Sequence, residues 1–547
     1  MQNEVPKSRN LDELREEQER IEHERAAGRS TLRSILIAAS ITMGMVVNMA
    51  LTTAGSIPLP TISHEFEEPT SNLVWVVSAY ALSSGCLLLM FGRLADLYGR
   101  KRMFVCGMTW LSAFSLGTGF ANDAITLQIL RGLSGVGAAA QVPASLGILA
   151  HSFPPSRARS FAFATFAAGA PLGGGTGLIL SGVLTQLTAQ TWRSIFWLLA
   201  GLGGLCVAIA VVVIDGDLPS LEEDQRVDWF GAFLISAGLV FVVFVLTQGE
   251  VAEPDQWKTP YIIALLIVGV FLIVAFVFWQ RYLEKVNDDV DRPRSKWTPP
   301  PLMRVSLWTR ANGRLAGVMV VAFLNWCSFQ CWCYWSQLYF QDYEHRTPIL
   351  TVVRIIPMFV TGIFLNVIVG TTIGRLPFVF FMVIGTAGTS LASLLYAFID
   401  DRIIYWALGF PGAIVSVTGA DFVFAAGTLF CAKVALPHEQ SLAGALFQTM
   451  VQLGTSFGIT VSTIVFDRLN HPGGPKLPAY HAAMWTGFGF GMLGALVSVL
   501  LFWNVGVVGD QGPKKDVEGT TESIVEEVTD RDDITVRASK EEKKVKS

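Results

Sequence analysis

Apolar runs long enough to cross a lipid bilayer recur along this chain, separated by short polar loops. A hydrocarbon core about 30 Å thick needs about 20 apolar residues in helical form, since each residue rises about 1.5 Å. By that ruler the sequence predicts fourteen helices, at residues 33–56, 73–93, 103–121, 124–149, 159–184, 194–214, 228–248, 260–281, 315–340, 350–372, 376–398, 403–426, 440–466 and 482–508. Gly, Pro and Ala interrupt the fourth and fifth, which membrane helices tolerate where neighbours satisfy the freed backbone groups. The expected fold class is an all-α polytopic membrane protein with 14 transmembrane helices, built as two six-helix pseudo-repeats with two additional central helices.

Composition supports this pattern. Of 547 residues, 52% are hydrophobic and only 15% charged, and the mean hydropathy is +0.48. A water-facing surface carries about 25–35% charged side chains, so a soluble globular protein is excluded. A net charge of −4 gives no basic footprint for nucleic acid. All seven cysteines (Cys86, Cys106, Cys206, Cys327, Cys331, Cys333, Cys431) fall in apolar stretches, not in loops that a disulfide would staple. Cys327 and Cys331 share a helical face, and Cys333 lies close by. No His or carboxylate joins them, which favours small apolar packing over a metal site.

Residues 1–32 are charged and lack the apolar core of a signal peptide, so they are expected to form a cytosolic arm. Residues 509–547 are charged and free of aromatics, which predicts a disordered cytosolic tail. No Asn-x-Ser/Thr sequon is present. With a cytosolic N-terminus, the loops after even-numbered helices hold 17 Lys and Arg and the other loops hold six. Positive charge collects on the cytosolic side, which predicts both termini inside. The acidic segment from Asp215 to Asp228 is the misfit. The remaining divisions expected are a six-helix bundle at 33–214, two extra helices at 215–281, a linker at 282–314 containing Pro299-Pro300-Pro301, and a second six-helix bundle at 315–508. The segments Pro155 to Ala162 and Pro437 to Gly444 echo each other, each following the fourth helix of its half and leading into a Gly-rich helix.

The most specific motif lies between the second and third helices: Gly92, Asp96, Gly99, then Arg100, Lys101 and Arg102. Glycine permits the tight turn between antiparallel helices. Asp96 can face a helix N-terminus or an Arg across the two halves, and the basic cluster suits the inner leaflet. This pattern resembles the signature loop of the major facilitator superfamily. The helix count resembles its fourteen-helix drug:proton antiporter branch. The stretch Gly419-Ala420-Asp421 and onward is similar to fungal members of the aminotriazole-resistance and boron-efflux-like group, with low-affinity ammonium transporter-like proteins nearby.

The resemblance covers about residues 33–508 and implies gating roles for the signature loop. It extends to Arg131-Gly-Leu-Ser134-Gly135-Val-Gly137-Ala138 in the fourth helix. It also extends to Ala170-Pro171-Leu-Gly-Gly174-Gly175 in the fifth, where Pro171, Gly174 and Gly175 match the antiporter motif. Four positions depart from the family pattern: Leu97 for a basic residue, Ser134 for Gln, Ala170 for Gly, and Leu51 where the first helix of the family has an acid.

Among ionisable residues inside the predicted helices, Arg131 and Asp421 carry the most weight. Arg131 lies about six residues into the fourth, a costly depth for a cation. It either serves proton transfer or cargo, or snorkels to the interface. Asp421 lies some 18 residues into the twelfth, towards its cytosolic end. It is either a proton carrier or a structural partner. The ninth helix carries Trp326, Gln330, Tyr334 and Gln337 at i, i+4, i+8 and i+11. Such a stripe suits a cavity that stacks on flat or cationic molecules, or an aromatic belt. Asn48, Thr52 and Ser56 form a polar stripe on the first helix. Gln141 on the fourth and Gln448 and Gln452 on the thirteenth are further cavity candidates. All of these either line a path or bond helix to helix.

The function expected is secondary active transport, as proton-coupled efflux of small toxic compounds or metabolites. The alternative is a facilitator or uptake carrier for a small solute such as ammonium or boric acid, motivated by Leu51. No phosphate-binding loop or embedded catalytic motif is present, so neither ATP-driven export nor an enzyme is expected. The expected partners are a small-molecule substrate, protons and membrane lipid, with no cofactor, no metal and no nucleic acid. A monomer in the plasma membrane is expected, with the vacuolar membrane as the other location.

Overall fold

A computed structural model describes residues 20–21, 24–25, 28–69, 72–153, 157–217, 224–249, 256–289, 298–400, 402–434, 440–470 and 474–507. The expected tail, most of the arm, and the repeat-marking Pro155 and Pro437 lie outside them. Among the described residues, regular structure is entirely helical. Fourteen long helices form: α1 Thr31–Ala54, α2 Trp75–Tyr98, α3 Arg100–Thr118, α4 Ala124–Ser152, α5 Arg157–Leu187, α6 Arg193–Val213, α7 Trp229–Gln248, α8 Pro260–Asp288, α9 Arg314–Leu338, α10 Pro348–Thr372, α11 Phe378–Ala397, α12 Tyr405–Val434, α13 Gln440–Leu469 and α14 Leu477–Phe502. A short helix, Leu59–Phe66, follows α1. Twelve of the fourteen are long and apolar enough to cross a membrane, the others being α3 and α5.

The ends of these helices follow local chemistry. Ser30, Asp123, Asp228 and Thr347 cap α1, α4, α7 and α10 by accepting from Arg33, Thr126, Gly231 and Leu350 backbone N–H groups, which satisfies donors that a helix leaves free. The Thr126 N–H bond holds the Asp123 carboxyl below the usual carboxylate range. Pro348 and Pro260 sit in first turns, where a missing N–H costs nothing. Several helices outrun their predicted apolar cores. α8 continues to Asp288 and takes up the start of the expected linker. α12 continues to Val434 rather than ending near 426. A hydropathy ruler measures the hydrocarbon-matched segment, whereas hydrogen bonding carries a helix beyond it.

Helices α1–α6 pack among themselves through α2–α4, α3–α4, α1–α5 and α3–α6. Helices α9–α14 do so through α11–α12, α11–α14, α9–α14, α9–α13 and α10–α12. The two sets meet along two seams, α2 with α13 and α5 with α10. The inserted helices α7 and α8 pair with each other, and α7 also rests on both α2 and α13.

The acidic segment is explained by its neighbours. Asp215 pairs with Arg29 and, at 2.9 Å, with Arg33. Asp217 accepts the Lys101 and Arg102 backbone N–H groups at 2.7 and 3.1 Å, capping α3. Asp228 also accepts from Trp279 and Gln280 at 2.9 and 2.6 Å. These carboxylates serve local cations and helix termini, so the loop stays compatible with a basic face. The linker before α9 is packed, with Leu302, Met303 and Leu307 buried and Met303 N–H donating to Gln280 at 3.1 Å. Replacing Asp217 by Ala is expected to lower stability by about 0.5–2 kcal/mol, the usual cost of a lost N-cap. Thermal unfolding of the detergent-solubilised chain should report it as a lowered midpoint.

Candidate functional site

The signature loop closes the α2–α3 turn on the basic face. Gly99 has φ +110, and a Cβ there would collide with the Asp217 carboxylate, so only glycine fits. Arg100 reaches back to Asp96 at 3.1 Å, and Lys101 Nζ donates to Val211 and Ile214 carbonyls at 2.8 and 2.6 Å. Arg102 meets Asp217 through its backbone N–H. Gly92 sits where α2, α4 and α13 converge, with Pro143 and Ala445 at 3.7 and 4.0 Å from a Cβ position.

Helix α5 carries glycines on two faces. A Cβ on Gly173 or Gly177 would strike α1, the latter 2.6 Å from Ala50 Cα. Gly174 and Gly175 face Phe359 of α10 at 3.6 and 3.0 Å, and Gly182 faces Val352 at 2.7 Å. Pro171 lies inside this continuous helix, on the side of Gly174, Gly175 and Gly182 by the 3.6-residue repeat.

In the first bundle, Arg131 is 0% exposed, which rules out snorkelling. Its Nε donates to the Val76 carbonyl at 2.8 Å. Its guanidinium carbon lies 4.6 Å from the Tyr80 ring centroid, and Nη1 and Nη2 have no partner among the described residues. The Tyr80 hydroxyl donates to Asn48 Oδ1. Thr52 donates to the Asn48 carbonyl at 3.0 Å, and Gln141 donates to Ser145 at 2.9 Å. Asn48 and Gln141 are fully buried. These side chains bond within and between helices of one bundle, the helix-bonding role of the two open to such a stripe. A 3.6-residue stripe cannot distinguish the two, because both faces repeat with the same period.

The α9 stripe divides. Trp326 and Gln330 are half-buried, with the Trp326 ring 5.8 Å from Phe424 and Gln330 Nε2 3.5 Å from the Thr455 hydroxyl. Tyr334 and Gln337 are buried inside the second bundle, where neighbouring Trp335 donates to Ser462 at 2.8 Å. That half of the stripe packs within its own bundle. Gln448 is buried, and Gln452 lies 3.4 Å from the Ser84 hydroxyl across the α2–α13 seam, joining the bundles.

Asp421 is close to the middle of α12, because the helix runs on to Val434. It is 9% exposed. Asn366 of α10 donates at 2.9 Å both to its Oδ1 and to the Gly362 carbonyl, and Oδ2 has no partner among the described residues. The sequence reading passed over Asn366, Tyr80, Asp217 and the pair Glu344–Arg354. Arg354, nearly two turns into α10, pairs with Glu344 and lies 4.9 Å from the Phe340 ring centroid. A Glu ten residues before an Arg in a long apolar run was the available signal. On the face opposite the signature loop, a cavity of about 540 Å³ opens between Pro60, Glu65, Gln341 and Arg346. None of the sequence-derived cavity candidates lines it.

This arrangement is a multi-pass helical membrane protein of two helical sets, packed through glycine contacts and holding isolated buried ionisable groups. The chain belongs to the major facilitator superfamily, whose profile matches residues 35–226 and 219–459. It is similar to the low affinity ammonium transporter of Saccharomyces cerevisiae, 29% identical and covering 82% of this chain and 84% of the relative. It is also similar to the efflux pump terJ of Aspergillus terreus, 26% identical over 78% and 80% of the two chains. A third relative is the aminotriazole resistance protein of S. cerevisiae, 23% identical over 84% and 82%. The chain is thus a membrane transporter of this superfamily, and not an enzyme. Replacing Gly177 by Val is expected to destabilise the α1–α5 contact by about 1–3 kcal/mol, the range for overpacked sites, read as earlier thermal unfolding in detergent.

Proposed function

We propose that the chain is a proton-coupled exporter of small toxic compounds or metabolites, working by alternating access. In this reading all fourteen long helices cross the plasma membrane and both termini are cytosolic. The observation that carries it is the pair of ionisable side chains buried in opposite bundles, Arg131 in α4 and Asp421 in α12, each with polar atoms that no described residue satisfies. An ionisable group inside a membrane helix costs at least about 2.5–3.5 kcal/mol and is retained for function by default. Arg131 and Asp421 couple protons. Trp326 and Gln330 contact cargo. Gly92, Asp96, Gly99 and Arg100 to Arg102 hold one end of the seam, and Pro171, Gly174 and Gly175 let α5 shift against α10. The likeness to an efflux pump and a resistance protein supports export.

A second reading, a facilitator or uptake carrier for ammonium or boric acid, is favoured by Leu51. It is fully buried where the family has an acid, and a relative is an ammonium transporter. The test is cargo accumulation in pump-deficient yeast expressing the chain, with dyes, azoles, aminotriazole, borate and methylammonium, each with and without a protonophore. Export predicts lowered accumulation that a protonophore restores, and its loss in Asp421→Asn and Arg131→Ala at unchanged membrane levels. Accumulation that tracks the outside concentration regardless of protonophore would establish the facilitator instead.

A further inference from the structure

The cavity of about 540 Å³ on the face away from the signature loop has walls from both bundles. One wall is the short helix Leu59–Phe66, with His64 and Glu65, together with Thr191 in the turn before α6. Glu65 fastens this wall to the start of α6, because Arg193 donates to one of its oxygens at 2.6 Å and the Trp192 indole to the other at 2.7 Å. The other wall is the segment joining α9 to α10, with Gln341 and Arg346. Beside the cavity the bundles touch, where the Ile349 N–H donates to Gln186 Oε1 of α5 at 3.3 Å.

The charges around this cavity do not cancel. Glu344 Oε2 accepts from Arg346 Nε at 2.9 Å and from Arg354 as well, so two guanidiniums share one carboxylate. The neighbouring Asp342 is taken by Lys476 at 3.2 Å and by the Tyr480 hydroxyl at 2.9 Å. Across the cavity, Glu65 is matched by Arg193. One guanidinium is therefore in surplus, and a cleft dominated by one sign of charge concentrates ions of the other.

The hydrogen-bond donors are in surplus too. Gln341 is 8% exposed, and its Nε2 has no partner among the described residues. A buried N–H without an acceptor is costly and calls for an explanation. The terminal torsion of glutamine is broad and two-fold, so a half-turn brings the N–H groups to the cavity that Gln341 lines. Arg346 gives Nε to Glu344, and a guanidinium carries further N–H groups in the same plane. His64 offers a ring N–H from the opposite wall in either tautomer. The carboxylate in the lining, Glu65, has both oxygens engaged.

We infer that this cavity is a second ligand site, taking the oxyanion group of a small molecule, with Arg346 supplying charge, Gln341 an amide N–H, and His64 a ring N–H from the facing bundle. It shares no lining residue with the candidates on α4 and α12, and it depends neither on the direction of transport nor on proton coupling. A carboxylate or phosphate on a soluble molecule and the phosphate of an anionic lipid share this chemistry. An occupant gripped from both walls binds the arrangement in which they face each other, so it favours that arrangement over any in which the bundles part here.

The test is equilibrium binding to the full chain in phosphatidylcholine nanodiscs. The probes are benzoate, benzamide as its neutral counterpart, and inorganic phosphate. Benzoate is expected to bind saturably, with benzamide weaker by about tenfold or more, as a charge-assisted contact requires. Arg346→Gln should weaken benzoate binding by about tenfold or more. Gln341→Leu on the same wall and His64→Phe on the other should each weaken it by about 3–10-fold, the loss of one hydrogen bond. Arg346→Lys, which keeps the charge, should still prefer benzoate to benzamide and guards against a folding defect in the Gln variant. Saturating benzoate should raise the thermal unfolding midpoint of the unaltered chain, because a ligand stabilises the state that binds it. Benzamide binding as tightly, benzoate binding unchanged in any of Arg346→Gln, Gln341→Leu or His64→Phe, or no saturable binding of either anion would overturn the inference. Nanodiscs containing phosphatidic acid separate the two sources. Displacement of benzoate there upholds the site with a lipid headgroup as its occupant, and undiminished benzoate binding upholds it with a soluble one.

Discussion

Helix backbones in lipid can approach closely only where side chains are absent, and α5 meets that constraint on two faces. Hydrocarbon tails are as apolar as leucine, so helices gain little by hiding apolar surface from them, and close packing supplies the attraction instead. The face bearing Gly173 and Gly177 meets the α1 backbone at Val46 and Ala50. The face bearing Gly174, Gly175 and Gly182 meets side chains of α10, mainly Phe359 and Val352. Backbone against backbone is a fixed fit. Backbone against a ring or a branched methyl can readjust by rotamer changes. One helix therefore meets its own bundle backbone to backbone and the other bundle mainly backbone to side chain.

Charge is distributed to the same end. On the basic face, Asp215, Asp217 and Asp228 are engaged by arginines, helix N-termini and an indole. On the far face, Glu65 holds Arg193 at 2.6 Å and accepts from Trp192 at 2.7 Å. These local pairings leave Arg131 and Asp421 apart from the ion pairs at either end. They sit in different bundles and depend on aromatic rings or an amide rather than on opposite charge.

The helical architecture was legible because a membrane helix is written in one dimension, as length and hydropathy. The signature loop was legible because its glycines and charges sit within eleven residues. What escaped is what depends on which neighbour a side chain meets. Asn48 and Trp326 look alike as polar or aromatic positions on a helical face, yet one is sealed inside a bundle and the other is half open. Asn366 and Asp421 are 55 residues apart in the chain, and only the packing of α10 on α12 brings them together. Asp217 read as a misfit of charge because the Lys101 and Arg102 amides it caps lie more than a hundred residues earlier.

The pair α7 and α8 makes the surroundings of the two seams differ. Its α7 lies on α2 and α13 together, and Ser236 donates to the Cys86 carbonyl of α2 at 3.0 Å. The two seams are therefore chemically unlike. Along one, a third helix stands between the junction and the acyl chains. Among the described residues the other seam has no such partner in its packing, and there Phe359 closes directly on Gly174 and Gly175.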